Sequence, residues 1–356
     1  MNENVVLKAA AQFGHGIPVV EKLGNGLINR TYKVTFTDDQ YPLVLQCLNQ
    51  RVFTQPENVI LNYRLIYDHL QHQTAVRIPA LVGSHHHKDY WIDDDDNIWK
   101  ATAYIPDSYT YAVAASSEDA GAAASCFAAF INSLTGLDGS LLYIPLPDFH
   151  DLSQRYQQFE EAIAGGTIML LLRATHVIAE LRQRKKLVAY FQQLGNNPDY
   201  PIRLMHHDGK ISNILFHRYT REAICPVDLD TVMPGYFFSD IGDLIRTMSC
   251  TVDENSTAWE NIDIHPGYYH AIIDAYLFET GQLFTPREKA GIHYSGLLMI
   301  YMQALRFVTD FLNNDIYYQT SFPEQNLNRA LNQLILLEKL EEFLKDNVLL
   351  NQPIPS

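Results

Sequence analysis

The chain has 356 residues, of which 47% are apolar, and its formal net charge is −15. This length and composition predict a globular protein of one large domain or two to three smaller ones, with a sizeable core. The negative charge argues against a nucleic-acid binder, which needs a basic face, and against a protein of anionic membrane surfaces. A protein this acidic binds phosphates only through a local site, usually with a divalent cation.

The first hundred residues have a composition that is typical of β structure. Residues 19–49 contain two or three strands, and Gly-Asn-Gly at 24–26 is predicted to form the turn between the first two. A helix is predicted at about 56–71, where apolar residues recur at helical spacing. A further hairpin is expected at 90–105.

After Pro106 the pattern changes to that of helices. Residues 117–134 are predicted to form a helix, with Ser117 as its N-cap and two acidic residues in its first turn. The long apolar stretch at 291–308 is interrupted by polar and charged side chains, so a buried helix is favoured over a membrane span.

These patterns predict an α+β protein of two lobes. The small lobe, residues 1–106, would be an antiparallel sheet with a helix, and the large lobe, residues 107–356, would be mainly helical. The N-terminus lacks the features of a signal peptide, and the four cysteines lie singly in apolar runs. We therefore expect buried free thiols in a reducing compartment, the cytoplasm, with neither nucleic acid nor membrane as a partner.

The segment "HHDGKISNILF" at 206–216 places a polar loop between two apolar runs. Short strands on either side would hold such a loop rigidly. Its order is His-x-Asp-x-Lys-x-x-Asn, and Asp228 follows Asn213 after fifteen residues, with Asp230 close behind. This spacing matches a kinase catalytic loop followed by a metal-binding aspartate on the next strand.

Each of these residue types suits one task in phosphoryl transfer from ATP to a hydroxyl group. Asp208 would orient the attacking hydroxyl and accept its proton. Lys210 would direct positive charge at the transferred phosphoryl group. Asn213 and Asp228 would bind Mg²⁺, a hard cation that prefers oxygen ligands. Asp230 is either a second magnesium ligand or a residue that holds the loop in place.

The motifs "HHDGKISNILF", "VDLDTVMPG" and "SDIGDLIR" resemble those of the aminoglycoside phosphotransferase and choline kinase superfamily, and the resemblance runs nearly end to end. Because of "LDTVMPG" and "DIYYQTSFPEQN", the chain is most similar to the N-acetylhexosamine 1-kinases. The resemblance implies a two-lobed, protein-kinase-like fold, with ATP between the lobes and the acceptor on the helical lobe. Asp240 or Asp243 is expected to cap a helix or to brace the catalytic loop.

The small lobe departs from the protein-kinase pattern. Asn25 and Gly26 are candidates for phosphate binding through backbone N–H groups, although a plain hairpin turn explains them equally well. The strand that carries a phosphate-binding lysine in protein kinases reads "LVLQCLN" here, and its nearest match, Gln46, has no charge. Another cation, or magnesium itself, would have to supply that charge. By resemblance, the backbone near Tyr104 would contact adenine.

Sugars are bound by planar hydrogen-bonding groups and by aromatic faces, and Arg203, Arg306, Asp310 and Tyr317 fit that description. Arg306 lies in the most apolar helix, where a buried arginine is costly unless it is paired. It would either form an internal salt bridge with Asp310, four residues later, or reach into a cleft and bind sugar hydroxyls, as the resemblance implies.

The leading hypothesis is a magnesium- and ATP-dependent kinase that phosphorylates the anomeric hydroxyl of an N-acetylhexosamine or a related sugar. Two alternatives stay open. The acceptor is an aminoglycoside, a choline-type amino alcohol or another sugar, or the protein is a pseudokinase that binds without catalysis. The absent strand lysine favours a pseudokinase, whereas Asp208, Asn213 and Asp228 argue against one.

Overall fold

The computed structural model describes residues 3–24, 28–39, 41–73, 76–347 and 349. Two compact units make up the chain, and each combines segments that are distant in sequence. The first unit contains Met1–Tyr109, Ser133–Pro147 and Leu215–Met233, and the second contains Thr110–Asn132, Asp148–Ile214 and Pro234–Ser356. The division at residues 106 and 107 stays a prediction, because lobes defined by function need not coincide with units defined by contacts.

Within the described residues, the first unit contains a six-stranded antiparallel sheet. Its strands are β1 (Pro18–Lys22), β2 (Arg30–Phe36), β3 (Leu43–Cys47), β4 (Leu81–Val82), β5 (Tyr90–Ile92) and β6 (Ile98–Ala103). They are hydrogen-bonded in the order β1-β2-β3-β6-β4, and β5 pairs with β6. The strands predicted in the first hundred residues, including the β5–β6 hairpin, are confirmed.

The two faces of this sheet are covered by different helices. Leu43, Leu45 and Cys47 of β3 are buried in one cluster with residues of α1 (Glu3–Ala10). The other face carries Ile98, which clusters with Val59 and Ile60 of α2 (Pro56–Leu70). Successive side chains of a strand point to opposite faces of the sheet, because β geometry imposes a period of two residues. The helix predicted at 56–71 is confirmed.

The register between β3 and β6 places Gln46 directly opposite Lys100. Side chains of directly opposed residues emerge on the same face of a sheet. Lys100 therefore shares the face that carries Gln46 and Ile98, on the side of α2, where its Nζ lies 5.3 Å from the centre of the Tyr63 ring.

Short strands complete the β structure of the described residues. A three-stranded sheet has the order β10-β9-β7, formed by β7 (Ser108–Tyr109), β9 (Ile214–His217) and β10 (Ala223–Pro226). A two-stranded sheet joins β8 (Arg203–Met205) to β11 (Met233–Gly235). β8 and β9 flank the predicted catalytic loop, as the two apolar runs indicated.

The second unit is mainly helical. Its helices are α3 (Ser117–Ser133), α4 (Leu152–Gly165), α5 (Ile168–Gln183), α6 (Lys186–Gln192), α7 (Phe238–Met248), α8 (Pro266–Thr280), α9 (Pro286–Ala290), α10 (Tyr294–Leu312) and α11 (Gln325–Asp346). The predicted fold class is confirmed: the protein is α+β, with an antiparallel sheet in one part and helices in the other.

The central helix of this unit is α10. All its residues are buried except Arg306 and Thr309. A helix that is apolar on every side is stable only when other elements surround it, and α4, α5, α7 and α11 all pack against α10. The prediction of a buried helix is confirmed. None of the helices in the described ranges combines the length and apolar character needed to cross a membrane.

The N-cap of α3 lies one residue earlier than predicted. The hydroxyl of Ser116, not Ser117, accepts a hydrogen bond from the backbone N–H of Asp119 at 3.2 Å. Both serines can cap a helix in this sequence, and the residue that precedes the first helical residue satisfies the free N–H group.

Candidate active site

The loop that follows β8 carries Asp208, just before a 3₁₀ turn at Ile211–Asn213. The next residue is Gly209, and a Cβ atom there would lie only 2.7 Å from the backbone oxygen of Asp240 on α7. Only glycine permits so close an approach of two backbone segments. Gly209 therefore allows the loop to rest directly on α7.

Asp208 accepts hydrogen bonds from two side chains of its own loop. Its Oδ2 atom lies 2.7 Å from Lys210 Nζ and 2.8 Å from Asn213 Nδ2. Asn213 also donates to the backbone oxygen of Asp208 at 3.0 Å. The three residues predicted to form a catalytic loop thus lie in one cluster. None of these hydrogen bonds involves the Oδ1 atom of Asp208.

The Asp208 side chain is 26% exposed. Burial opposes its ionisation, but the Lys210 ammonium, His206 and the Asn213 amide outweigh burial and lower the pKa of Asp208 below its ordinary value. The carboxylate is therefore ionised at neutral pH. A group that accepts a proton must begin in this form.

Asp240 braces the predicted catalytic loop from α7, which was one of the two alternatives expected from the sequence. Its carboxylate accepts the backbone N–H of His206 at 2.8 Å and that of His207 at 2.6 Å. His207 adopts a left-handed conformation with φ of 65°. Burial raises the pKa of Asp240 to about 7, although the two N–H donors act in the opposite direction.

Asn213 is 5% exposed, and its amide orientation is set by Asp208. Because the amide nitrogen donates to Asp208, the amide oxygen is the atom that remains for a cation. An amide oxygen is a suitable ligand for Mg²⁺.

Asp228 lies in the first unit, after β10, and has φ of 60° and ψ of 53°. This left-handed conformation is uncommon for a residue with a side chain, and such residues cluster at functional sites. It immediately precedes a 3₁₀ turn at Leu229–Thr231 that contains Asp230. The role of Asp228 as a magnesium ligand stays a prediction.

Both carboxylate oxygens of Asp230 are engaged within the first unit. Oδ1 is ion-paired with Lys100 Nζ, and Oδ2 accepts a hydrogen bond from Asn29 Nδ2 at 2.6 Å. These contacts favour the alternative in which Asp230 holds its loop, and the alternative of a second magnesium ligand stays a prediction. The sequence reasoning overlooked Lys100, although a single lysine inside the apolar run "IWKATA" was the available signal.

The residues predicted to contact the nucleotide in the small lobe lie at separate places. Asn25 and Gly26 fall outside the described residues. Gln46 Nε2 donates to Thr31 Oγ1 at 3.2 Å on the neighbouring strand. Tyr104 follows β6, and Lys33 Nζ lies 4.6 Å from the centre of its ring. Their predicted roles stay predictions.

A cavity of about 490 Å³ lies in the second unit, against the two residues of α10 that are not buried. Its lining consists of Arg155, Gln158, Glu161, Ala162, Arg306, Thr309, Asp310, Asn313, Tyr317 and Tyr318. Three of the four residues predicted to bind the acceptor therefore meet at one cavity. The α4 residues on its wall were not identified from the sequence, because nothing in their spacing distinguishes them from a solvated helix face.

Arg306 is held in the cavity by aromatic rings and one amide. Its guanidinium lies 4.9 Å from the ring of Phe149 and 5.6 Å from that of Tyr318, and it donates to Gln303 Oε1 at 3.1 Å. Among the described residues it forms no ion pair with Asp310. The alternative of an internal salt bridge between these two residues is therefore wrong.

The Asp310 carboxylate binds the connection between α10 and α11. It accepts the backbone N–H groups of Tyr317 at 2.8 Å and Tyr318 at 2.9 Å, and the side-chain amide of Asn326 at 2.9 Å. Asp310 therefore positions Tyr317 and Tyr318 at the cavity. The Tyr317 side chain is largely exposed.

Arg203 is the one predicted acceptor residue outside this cavity. It is ion-paired with the buried Glu288, and it donates to the backbone oxygens of Leu283 at 2.8 Å and Pro201 at 3.1 Å. These partners give Arg203 a structural role that joins β8 to the region of α9. Its predicted contact with an acceptor stays a prediction.

Comparison with known proteins identifies this arrangement. Residues 19–285 match the family described as the phosphotransferase enzyme family. A microcompartment-associated aminopropanol kinase is 13% identical, with a TM-score of 0.63 and coverage of 98% of this chain and 99% of that chain. The choline kinase of Cryptosporidium parvum Iowa II is 13% identical, with a TM-score of 0.55 and coverage of 98% and 93%. A spectinomycin phosphotransferase, solved with ADP and spectinomycin, is 13% identical, with a TM-score of 0.53 and coverage of 92% and 93%.

The fold is thus the protein-kinase-like fold of the aminoglycoside phosphotransferases and choline kinases, and the family match makes the protein a phosphotransferase. The chain belongs to the phosphotransferase enzyme family. The expected superfamily is confirmed.

Proposed function

We propose that this protein transfers the γ-phosphoryl group of ATP to a sugar, with the anomeric hydroxyl of an N-acetylhexosamine as the preferred acceptor. The observation that carries the proposal is the cluster of Asp208, Lys210 and Asn213, in which an ionised carboxylate is held by a cation and an amide. General base, cation and metal ligand are the parts that phosphoryl transfer to a hydroxyl group requires.

Asp208 orients the acceptor hydroxyl and accepts its proton as the new O–P bond forms and the bond from the γ-phosphorus to the bridging oxygen breaks. Lys210 stabilises negative charge on the transferred phosphoryl group, and its side chain is 37% exposed, which gives it access to a ligand. The products are a sugar 1-phosphate and ADP.

The donor set supports a magnesium-bound nucleotide. Asn213 would contribute its amide oxygen and Asp228 a carboxylate, both of which are ligands that Mg²⁺ prefers. When bound, the cation would neutralise charge on the triphosphate and the departing ADP. The ADP held by the similar spectinomycin phosphotransferase supports ATP as the donor.

The cavity on α10 supports a neutral acceptor over a cationic one. It contains two guanidinium groups, and burial together with the nearby Arg306 lowers the pKa of Arg155. The carboxylates in the lining have other partners: Gln157 donates to Glu161, and Asp310 accepts backbone N–H groups. Two guanidinium groups and two carboxylates give the lining no excess of negative charge to bind choline or an aminoglycoside, whereas the guanidinium and tyrosine groups can donate hydrogen bonds to the hydroxyl and carbonyl oxygens of a sugar.

The proposal is tested by measuring ADP release with Mg²⁺ and ATP across N-acetylglucosamine, N-acetylgalactosamine, other sugars, choline and aminoglycosides. We expect turnover with an N-acetylhexosamine and a product that carries phosphate at C1. Turnover with choline or an aminoglycoside alone would contradict the neutral-acceptor argument. Binding of nucleotide without turnover on any acceptor would favour a pseudokinase.

The role of Asp208 is tested by Asp208→Asn, which keeps the shape of the side chain and removes the base. We expect kcat to fall by about 10²–10⁴-fold, the usual contribution of a positioned general base, with ATP affinity nearly unchanged. Asp274→Asn, on the exposed side of α8, is the matched control and should retain full activity. An Asp208→Asn enzyme with the wild-type rate would exclude Asp208 as the base.

A further inference from the structure

The first unit contains a buried ionic cluster of Lys100, Asp230 and Asn29. Lys100 Nζ is ion-paired with Asp230 Oδ1, and Asn29 Nδ2 donates to Asp230 Oδ2 at 2.6 Å. Lys100 is 1% exposed, Asp230 2% and Asn29 8%. The carboxylate therefore has both of its oxygens occupied, in a place that water does not reach.

Stability alone is a weak reason for such a cluster. Removing two charges from water costs about as much free energy as their attraction returns, and apolar residues of the same volume usually serve a core equally well. A buried ion pair does fix two segments in one relative position, because any shift would leave a charge without its partner. The role of the pair can therefore be inferred from the segments that it holds together.

The cluster joins three segments, each of which the sequence connects with the nucleotide. Asp230 lies two residues after Asp228, the predicted magnesium ligand with the left-handed backbone. Asn29 ends the segment "GNGLIN", and its Oδ1 also accepts the backbone N–H of Asn49, just after β3. Lys100 lies on β6, which pairs with β3, β4 and β5 and leads directly to Tyr104, the residue expected to contact adenine.

Lys100 also lies next to the position where a protein kinase has its phosphate-binding lysine. The position that matches the kinase strand lysine is Gln46, and Lys100 is its direct partner on the neighbouring strand, on the same face of the sheet. Gln46 makes its hydrogen bond to Thr31 instead. The lysine on this face of the sheet therefore lies on β6, one strand away from the position on β3 that carries the lysine in protein kinases.

We infer that Lys100 is a positioning residue for nucleotide binding: through Asp230 it fixes the segment of Asp228, so that Asp228 is preorganised as a ligand for the magnesium ion of ATP. Lys100 itself does not contact phosphate, because its ammonium is buried against Asp230 and the Tyr63 ring. This inference rests on the proposed function and explains how a strand without the kinase lysine still supports catalysis.

The test measures ATP binding by calorimetry without acceptor, once in MgCl₂ and once in EDTA. The variants are Lys100→Met and the double variant Lys100→Met with Asp230→Leu, which leaves no unpaired charge in the core and therefore guards against misfolding. Lys8→Met is the matched control, because Lys8 forms an exposed ion pair with Asp94 in the same unit.

We expect both variants to bind ATP about 10–100-fold more weakly in MgCl₂, the usual effect of removing a partner that orients a metal ligand. In EDTA their affinity for ATP should equal that of the wild type, and Lys8→Met should match the wild type in both conditions. The apparent Mg²⁺ requirement of the kinase reaction should rise in the same variants, while KM for the acceptor stays unchanged.

Two results would overturn the inference. Equal weakening in MgCl₂ and EDTA would mean that Lys100 binds phosphate directly, and unchanged affinity in both would mean that the cluster is only structural. If the wild-type protein binds no ATP in MgCl₂, the proposed function fails and the inference fails with it, whereas failure of the variants alone leaves the proposed function intact.

Discussion

Two aspartates at the proposed catalytic loop have environments that shift their pKa values in opposite directions. The pKa of Asp208 is lowered because Lys210, His206 and Asn213 outweigh the effect of burial. The pKa of Asp240 is raised to about 7 by burial and by the neighbouring Asp243 and Asp208, despite two backbone N–H donors. Opposite shifts in adjacent carboxylates often mark separate roles at an active site. Here Asp208 is the proposed base, and Asp240 holds the loop.

This difference predicts a pH-dependent stability. The pKa of Asp240 in the folded protein, about 7, exceeds its ordinary value of 3.8, so the folded state binds a proton more tightly than the unfolded state between these values. Stability should therefore fall as pH rises through this window. Relative to Asp240→Asn, the wild type should lose on the order of 2 kcal/mol of unfolding free energy between pH 5 and pH 7. Urea denaturation at both pH values measures the difference.

The control for this measurement is Asp274→Asn, on the exposed side of α8. Asp208→Asn would not serve, because the Asp208 charge contributes to the raised pKa of Asp240. The wild type and Asp274→Asn should differ by the same amount at both pH values. A constant difference between the wild type and Asp240→Asn as well would contradict the raised pKa of Asp240.

At the scale of elements, local patterns predicted most of what is local. The β5–β6 hairpin, α2, α3 and the buried α10 follow from hydrophobic periodicity, and the Asp208 cluster follows from spacing within one loop. The predicted N-cap of α3 was one residue too late, because either Ser116 or Ser117 could cap a helix and the sequence does not distinguish them. The Arg306–Asp310 salt bridge was wrong because the spacing that allows an ion pair does not reveal the backbone N–H groups that compete for Asp310.

The connection between α10 and α11 is therefore predicted to depend on Asp310. In Asp310→Asn an amide nitrogen replaces one acceptor oxygen, so at least one of three N–H donors loses its partner, at a cost of about 1–3 kcal/mol for each. Because Tyr317 and Tyr318 line the proposed acceptor cavity, KM for the acceptor should rise while KM for ATP stays unchanged. Initial-rate kinetics on the acceptor found in the screen measure both. Equal changes in the two constants would contradict this role, and Asp274→Asn serves again as control.

At the scale of the whole molecule, the interactions that sequence reasoning overlooked join residues far apart in the chain. Lys100 and Asp230 are separated by 130 positions, and Asn29 and Asp230 by 201. Likewise, α4 and α10 both line the cavity in the second unit. Motif spacing describes neighbours within one loop, whereas these contacts depend on which strands pair and which helices pack. An isolated lysine in an apolar strand signals that a buried partner exists, but it does not identify that partner.

The buried pair also makes a prediction about the stability of the fold. Lys100→Met leaves Asp230 buried without its cation and should lower the free energy of unfolding by about 3–5 kcal/mol, whereas the double variant with Asp230→Leu should recover most of that loss. Trp91 and Trp99 lie on β5 and β6, so their fluorescence during urea denaturation reports on the first unit. Lys8→Met, which breaks an exposed pair, should change the stability by less than about 1 kcal/mol.

The comparison of stability with nucleotide binding then separates two explanations of the pair. If the pair only stabilises the core, the double variant should recover magnesium-dependent ATP binding together with its stability, since apolar packing replaces the lost attraction. If the pair positions Asp228, stability should return while the weakened binding in MgCl₂ persists, because Leu and Met pack without fixing one register. A double variant as unstable as Lys100→Met alone would show that the site does not accept apolar packing, and would contradict the stability prediction.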